Sequence, residues 1–98
     1  MQPERAFGVF PSVGGAKYLN GTTSQQVKGA EGDLIGIFID SASASPTIKL
    51  WDSGTAAGNV LVQTFTPIAG TWYPLPFHFL TGLFITIVGT VGYTISFG

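Results

Sequence analysis

Residues 72–89 read WYPLPFHFLTGLFITIVG, eighteen positions without an Asp, Glu, Lys or Arg. His78 is the one side chain among them that titrates near neutrality. The charge gap is wider still: Asp52 carries the last formal side-chain charge, so residues 53–98 carry none. Such a segment can cross a membrane, fill a core or face another protein. A spanning helix needs roughly 20 apolar residues in a helix-compatible run. Pro74 and Pro76 each remove a backbone donor and clash with the preceding turn, and Gly82 and Gly89 weaken a helix further. Phe84, Ile85, Thr86, Ile87 and Val88 favour strands. The pattern predicts a strand over Leu83–Val88, approached by a proline-bent extended segment, and no membrane span.

Working outward, the same grammar repeats. Asp33–Asp40 (DLIGIFID) reads as a central strand, with Ile35, Ile37 and Ile39 on one face and Leu34, Gly36 and Phe38 on the other. Apolar residues on both faces predict burial on both sides. Thr47–Trp51 (TIKLW) places Ile48 and Leu50 inward and Trp51 out of phase with them. Asn59–Thr66 alternates until Pro67 and Gly70 stop it, and Gly92–Phe97 sets Tyr93, Ile95 and Phe97 on one face. Ala16–Leu19, Ser24–Lys28 and Thr71–Phe77 complete the set, the last confined to an edge or a bulge by its prolines. Asn20-Gly21 is a strong turn signal.

About eight short strands without a helix, linker or repeat predict an all-β antiparallel sandwich. A jelly roll fits the strand count first, an immunoglobulin-like sandwich second and an oligonucleotide-binding barrel third. The domain spans residues 16–98. Residues 1–15 hold Pro3, Pro11, Gly8, Gly14 and Gly15 beside Phe7, Val9 and Phe10. They read as an extended arm that docks Phe7 and Phe10 on its own domain or on a neighbour.

Composition narrows the function. Only 9 % of the 98 residues are charged, against about 25 % in ordinary soluble domains. A small domain cannot bury all of a 45 % hydrophobic composition. Part of its surface is therefore expected to be covered by other chains, a homo-oligomer or a larger assembly; a neutral hydroxyl- and amide-rich surface is the alternative. Arg5, Lys17, Lys28 and Lys49 are scattered and the formal net charge is −1, which argues against nucleic acid. The absence of Cys removes disulfides and thiolate metal sites. No signal peptide is evident at the N-terminus, which fits synthesis in a cytoplasm.

Few groups are offered for catalysis. His78 has no carboxylate close to it in sequence, and a Ser–His–Asp arrangement would have to recruit Asp52 or Asp40 across the fold. A structural histidine is the expectation, and no catalytic residue, cofactor or metal is assigned. Asp52-Ser53-Gly54 reads as a turn. Glu31, Asp33, Asp40 and Asp52 could gather around calcium, though without an EF-hand spacing. Trp51, Trp72, Tyr73 and Tyr18 could form a sugar platform, fill the sandwich or meet a partner. Low charge and the enrichment of Trp and Tyr at interfaces favour partner contact for Trp51, Trp72 and Tyr73, together with Phe7 and Phe10.

The run GTWYPLPFHFLTGLFITIVGTVGYTISFG (residues 70–98) resembles the C-terminal portion of small virion structural proteins of tailed bacteriophages. The stretch GDLIGIFIDSASASPTIKLWDSG (residues 32–54) is similar to their central hairpin. The N-terminal arm has no matching counterpart. The resemblance implies a β-sandwich, commonly trimeric and without catalytic residues, that decorates or cements a capsid. Its expected partners are further copies of itself and the major capsid protein or other virion proteins, and its place is the virion, after synthesis in the host cytoplasm. A carbohydrate-binding module for host attachment is the competing expectation.

Overall fold

A computed structural model describes residues 16–98; the arm expected over residues 1–15, with Phe7 and Phe10, lies outside the described residues. Nine strands run through the described chain: β1 (Lys17–Gly21), β2 (Gln25–Lys28), β3 (Gly32–Ala42), β4 (Thr47–Asp52), β5 (Asn59–Phe65), β6 (Thr71–Pro74), β7 (His78–Phe79), β8 (Leu83–Val88) and β9 (Val91–Phe97). They form two antiparallel sheets. One has the order β1-β9-β3-β6, with β7 also pairing β3; the other has the order β2-β8-β4-β5. No helix occurs among the described residues, and the run at 72–89 becomes β6, β7 and β8, as its prolines and β-branched residues require.

The core lies between the sheets. Ile37, Ile39, Tyr93 and Ile95 come from the first and Ile48, Leu50, Leu83 and Ile85 from the second, all fully or almost fully buried. Burial of a side chain of this size contributes about 1.5–3 kcal/mol. Cross-strand register makes the layer coherent, since Leu19, Ile95 and Ile37 stand in one row and Ile48 faces Ile87 in the other sheet.

Two expectations need correction. The first is the alternation of β3, which is not continuous. Leu34 pairs with Phe97 but Gly36 pairs with Ser96, so Ile35 is an extra residue, a bulge. A bulge shifts the pleat by one position, which puts Leu34 in the core and leaves Ile35 only partly buried. Nor is the strand buried on both sides. Phe38 is 38 % exposed on the outer face, where Gly36 is covered by the ring of Trp72.

The second is the Asn20-Gly21 turn. Both residues are paired within β1, Asn20 with Thr94 and Gly21 with Tyr93. The chain turns at residues 22–24 instead and then changes sheet, because β1 joins β9 while β2 joins β8. Gly21 is required for a different reason. A Cβ there would lie 2.6 Å from the Tyr93 hydroxyl oxygen and 2.5 Å from the Gln25 side-chain amide.

Candidate functional site

Two places on the fold collect the residues that carry chemistry. At one end of the first sheet, β7 pairs with the start of β3, Asp33 opposite His78. The imidazole Nδ1 lies 2.7 Å from Asp33 Oδ1, and Nε2 lies 2.6 Å from Glu31 Oε2. A carboxylate accepts hydrogen bonds, so satisfying both contacts requires both ring nitrogens to donate, which is the imidazolium form. Hydrogen bonds from Asp33 first and Glu31 second hold the His78 pKa above its ordinary value, against the opposing effect of desolvation. In this arrangement the ring has no lone pair left to accept a proton, and a general base needs one.

The carboxylates meet His78 through strand pairing rather than through sequence proximity. Neither Asp52 nor Asp40, the partners considered from sequence, is among the carboxylates bonded to His78. Both Asp52 oxygens accept the Leu80 amide at 3.0 Å, and Oδ1 also accepts those of Thr81 at 2.8 Å and Gly82 at 3.4 Å. Partial desolvation is the largest single influence on Asp52 and acts to raise its pKa. The three amide bonds and the nearby His78 charge together outweigh it and hold the carboxyl below the ordinary range. Asp40 lies beside Gly92, whose added Cβ would meet its carboxylate. Among the described residues no group of three or more His, Cys, Asp or Glu is placed to hold a metal ion.

Beside His78 lies an open groove of about 370 Å³ lined by Asp33, Leu34, Ile35, Pro76, Phe77 and His78. The bulged residue Ile35 lies in its lining. The β3 backbone leaves regular pairing there, and the segment between β6 and β7 bows around it, held by Leu75 N–H to Ile35 O at 2.9 Å and Leu34 N–H to Phe77 O at 2.8 Å.

The second place is the outer face of the five-stranded sheet. Two cross-strand rows run over it: Tyr18, Ser96, Gly36 and Pro74, then Asn20, Thr94, Phe38 and Trp72. Tyr18 is 71 % and Trp72 46 % exposed. A Cβ at Gly36 would fall 2.5 Å from Trp72 Cη2 and Cζ2, so the six-membered ring of the indole closes over the glycine. The only polar groups in these rows are uncharged, among them the Thr94 hydroxyl donating to Asn20 Oδ1 at 2.6 Å.

The expected contact residues separate here. Trp72 shares this face with Tyr18. Trp51 stands on the opposite sheet, half-buried, its Nε1–H donating to Thr86 Oγ1 at 3.2 Å and the Lys49 ammonium 4.4 Å from its ring centroid. Tyr73 turns inward, its ring 5.3 Å from that of Phe65 and its hydroxyl accepting the Ile68 amide at 3.0 Å. Phe38 went unnoticed in the sequence because the alternation of β3 assigned both its faces to the interior.

No protein-family model, curated protein or solved structure matches this chain.

Proposed function

We propose that this chain is a non-enzymatic structural subunit of a bacteriophage particle, an oligomeric decoration or cement protein that stabilises the capsid shell. The observation that carries the reading is the outer face of the five-stranded sheet. Tyr18, Phe38 and Trp72 expose aromatic surface together, with no charged residue in the two rows that contain them. Contiguous apolar patches of this kind mark interaction sites, and the 9 % charged composition supports a covered surface. His78, with both nitrogens occupied by carboxylates, supports a structural role over a catalytic one. The mechanism is mechanical: aromatic area buried against a neighbouring copy, a trimer in the preferred arrangement, or against capsid protein resists expansion of the shell at about 25 cal/mol per Å².

Light-scattering mass in solution, followed by co-sedimentation with assembled shells, tests this. The expected result is a discrete oligomer that binds shells and is weakened in both respects by Trp72→Asp. A monomer at high concentration that ignores shells overturns it.

One observation favours a second reading, a carbohydrate-binding module. The flat Trp72 indole stands beside the uncharged hydrogen-bonding groups of Asn20, Thr94 and Ser96, the combination on which sugar rings stack. Glycan binding abolished by Trp72→Ala and retained by Trp51→Ala would establish this alternative.

A further inference from the structure

The groove beside His78 is apolar along its length and acidic at one rim. Leu34 and Ile35 form its floor, Pro76 and Phe77 its wall, and Asp33 its charged edge. Phe77 leaves 45 % of its surface open to it and to solvent. Glu31 and Asp33 together face a single imidazolium, and the Lys28 ammonium lies beside the intervening Gly32, donating to Gly98 O at 3.0 Å.

We propose that this groove receives the N-terminal segment of the same chain, with Phe7 and Phe10 against Ile35, Pro76 and Phe77, and Arg5 against Glu31 and Asp33. Position is the first support. Lys17, at the start of β1, stands opposite Phe97, which stands opposite Leu34 in the groove floor. Two inter-strand spacings of about 4.8 Å separate Lys17 from Leu34, roughly 10 Å in all. The segment preceding Ala16 therefore leaves the sheet at the end where the groove opens.

Length is the second support. Counting back from Ala16, Phe10 is six residues away and Phe7 nine. At about 3.3 Å per extended residue they reach roughly 20 and 30 Å, ample for a path that first reverses. Gly14 and Gly15 immediately precede Ala16 in the sequence, and glycine accepts backbone angles other residues avoid.

Charge is the third. Arg5 is the only Arg in the chain and immediately precedes the uncharged run AFGVF. Its guanidinium suits paired carboxylates. The competing aromatic face at Tyr18, Phe38 and Trp72 has one carboxylate beside it, that of Asp40, against the two at the groove rim. Seating in cis does not rest on the assembly reading, since a monomer can do it equally well, and it leaves that face free for a partner.

The chain has no Cys, so Gly8→Cys in the full-length protein accepts a single nitroxide label between Phe7 and Val9. The expected result is paramagnetic broadening of the amide signals of Ile35, Phe77 and His78, with the Trp51 sheet unaffected. Phe77→Ser, or Glu31→Gln combined with Asp33→Asn, should reduce that broadening at least several-fold while the remaining spectrum stays native. Broadening centred on Tyr18, Phe38 and Trp72, or spread evenly over the domain, overturns the proposal. So does equal broadening when the nitroxide and the isotope label are carried by different copies, because the segment would then seat on a neighbour. Loss of oligomerisation alone, with the groove signals still broadened, would sink the assembly reading and leave this one standing.

Discussion

The His78 imidazole bridges two carboxylates, Asp33 at 2.7 Å and Glu31 at 2.6 Å, from positions more than forty residues away in the chain. The pair Asp33–His78 thereby ties β7 to β3 by side chains as well as by backbone register.

An NMR titration of His78 should give a pKa above about 6.5, the unperturbed value, because both carboxylates favour the charged ring. A raised pKa means that the folded state holds the proton more tightly. The stabilising contribution is therefore complete below about pH 6.5 and disappears as pH rises through the higher folded value. Solvent access to the half-exposed ring keeps the effect small. A midpoint at or below the unperturbed value would refute the imidazolium clamp.

Asp52→Ala should cost about 1–2 kcal/mol in urea denaturation, since three amide donors at Leu80, Thr81 and Gly82 lose their acceptor. The carboxyl is held below its ordinary pKa, so its contribution is present above about pH 4 and is lost as pH falls through the lower folded value. Stability of the variant should be flatter than wild type across that acid window. An unchanged denaturation midpoint would mean that water replaces the carboxylate without loss.

Gly36→Ala should destabilise by about 1–3 kcal/mol through overpacking. The new methyl would sit 2.5 Å from the Trp72 ring and 2.6 Å from the Tyr73 carbonyl, and the carbonyl is backbone that cannot swing aside. Trp fluorescence should shift as the indole is lifted into water. Gly54→Ala is the control, because nothing lies within 4 Å of its added carbon; it should fall within about 0.5 kcal/mol of wild type.

Tyr93→Phe should cost about 1 kcal/mol. The hydroxyl donates to Thr23 O and accepts from Gln25 Nε2, both at 2.8 Å, and so pins the crossing from β1 to β2. Burial raises the Tyr93 pKa, while the Gln25 bond acts to lower it. For an acid this means stability declines with pH above about 10, where the unfolded phenol ionises first. The Phe variant should lack that alkaline branch; its persistence would assign the decline to another group.

How much of this was legible in the sequence follows from the range of each interaction. Leu83–Val88 could be read to the residue because proline, glycine and β-branching act locally. Tyr93, Ile95 and Phe97 fell on one buried face because alternation is also local. The phase change at Ile35 could not be read, since a bulge depends on which strand lies opposite. Asn20-Gly21 misled because a dipeptide's turn preference is weak against pairing with Thr94 and Tyr93. The His78 cluster was invisible because its carboxylates arrive through the pairing of β7 with β3.

Strand β9 occupies the middle of its sheet, between β1 and β3, yet it is synthesised after every other strand described. A ribosome can therefore deliver residues 16–90 and still leave two raw hydrogen-bonding edges waiting for their shared insert. Completion of that sheet must await translation past Phe97, whereas the strands of the other sheet are all delivered by Val88. Nascent chains stalled between those points should be the ones that chaperones capture.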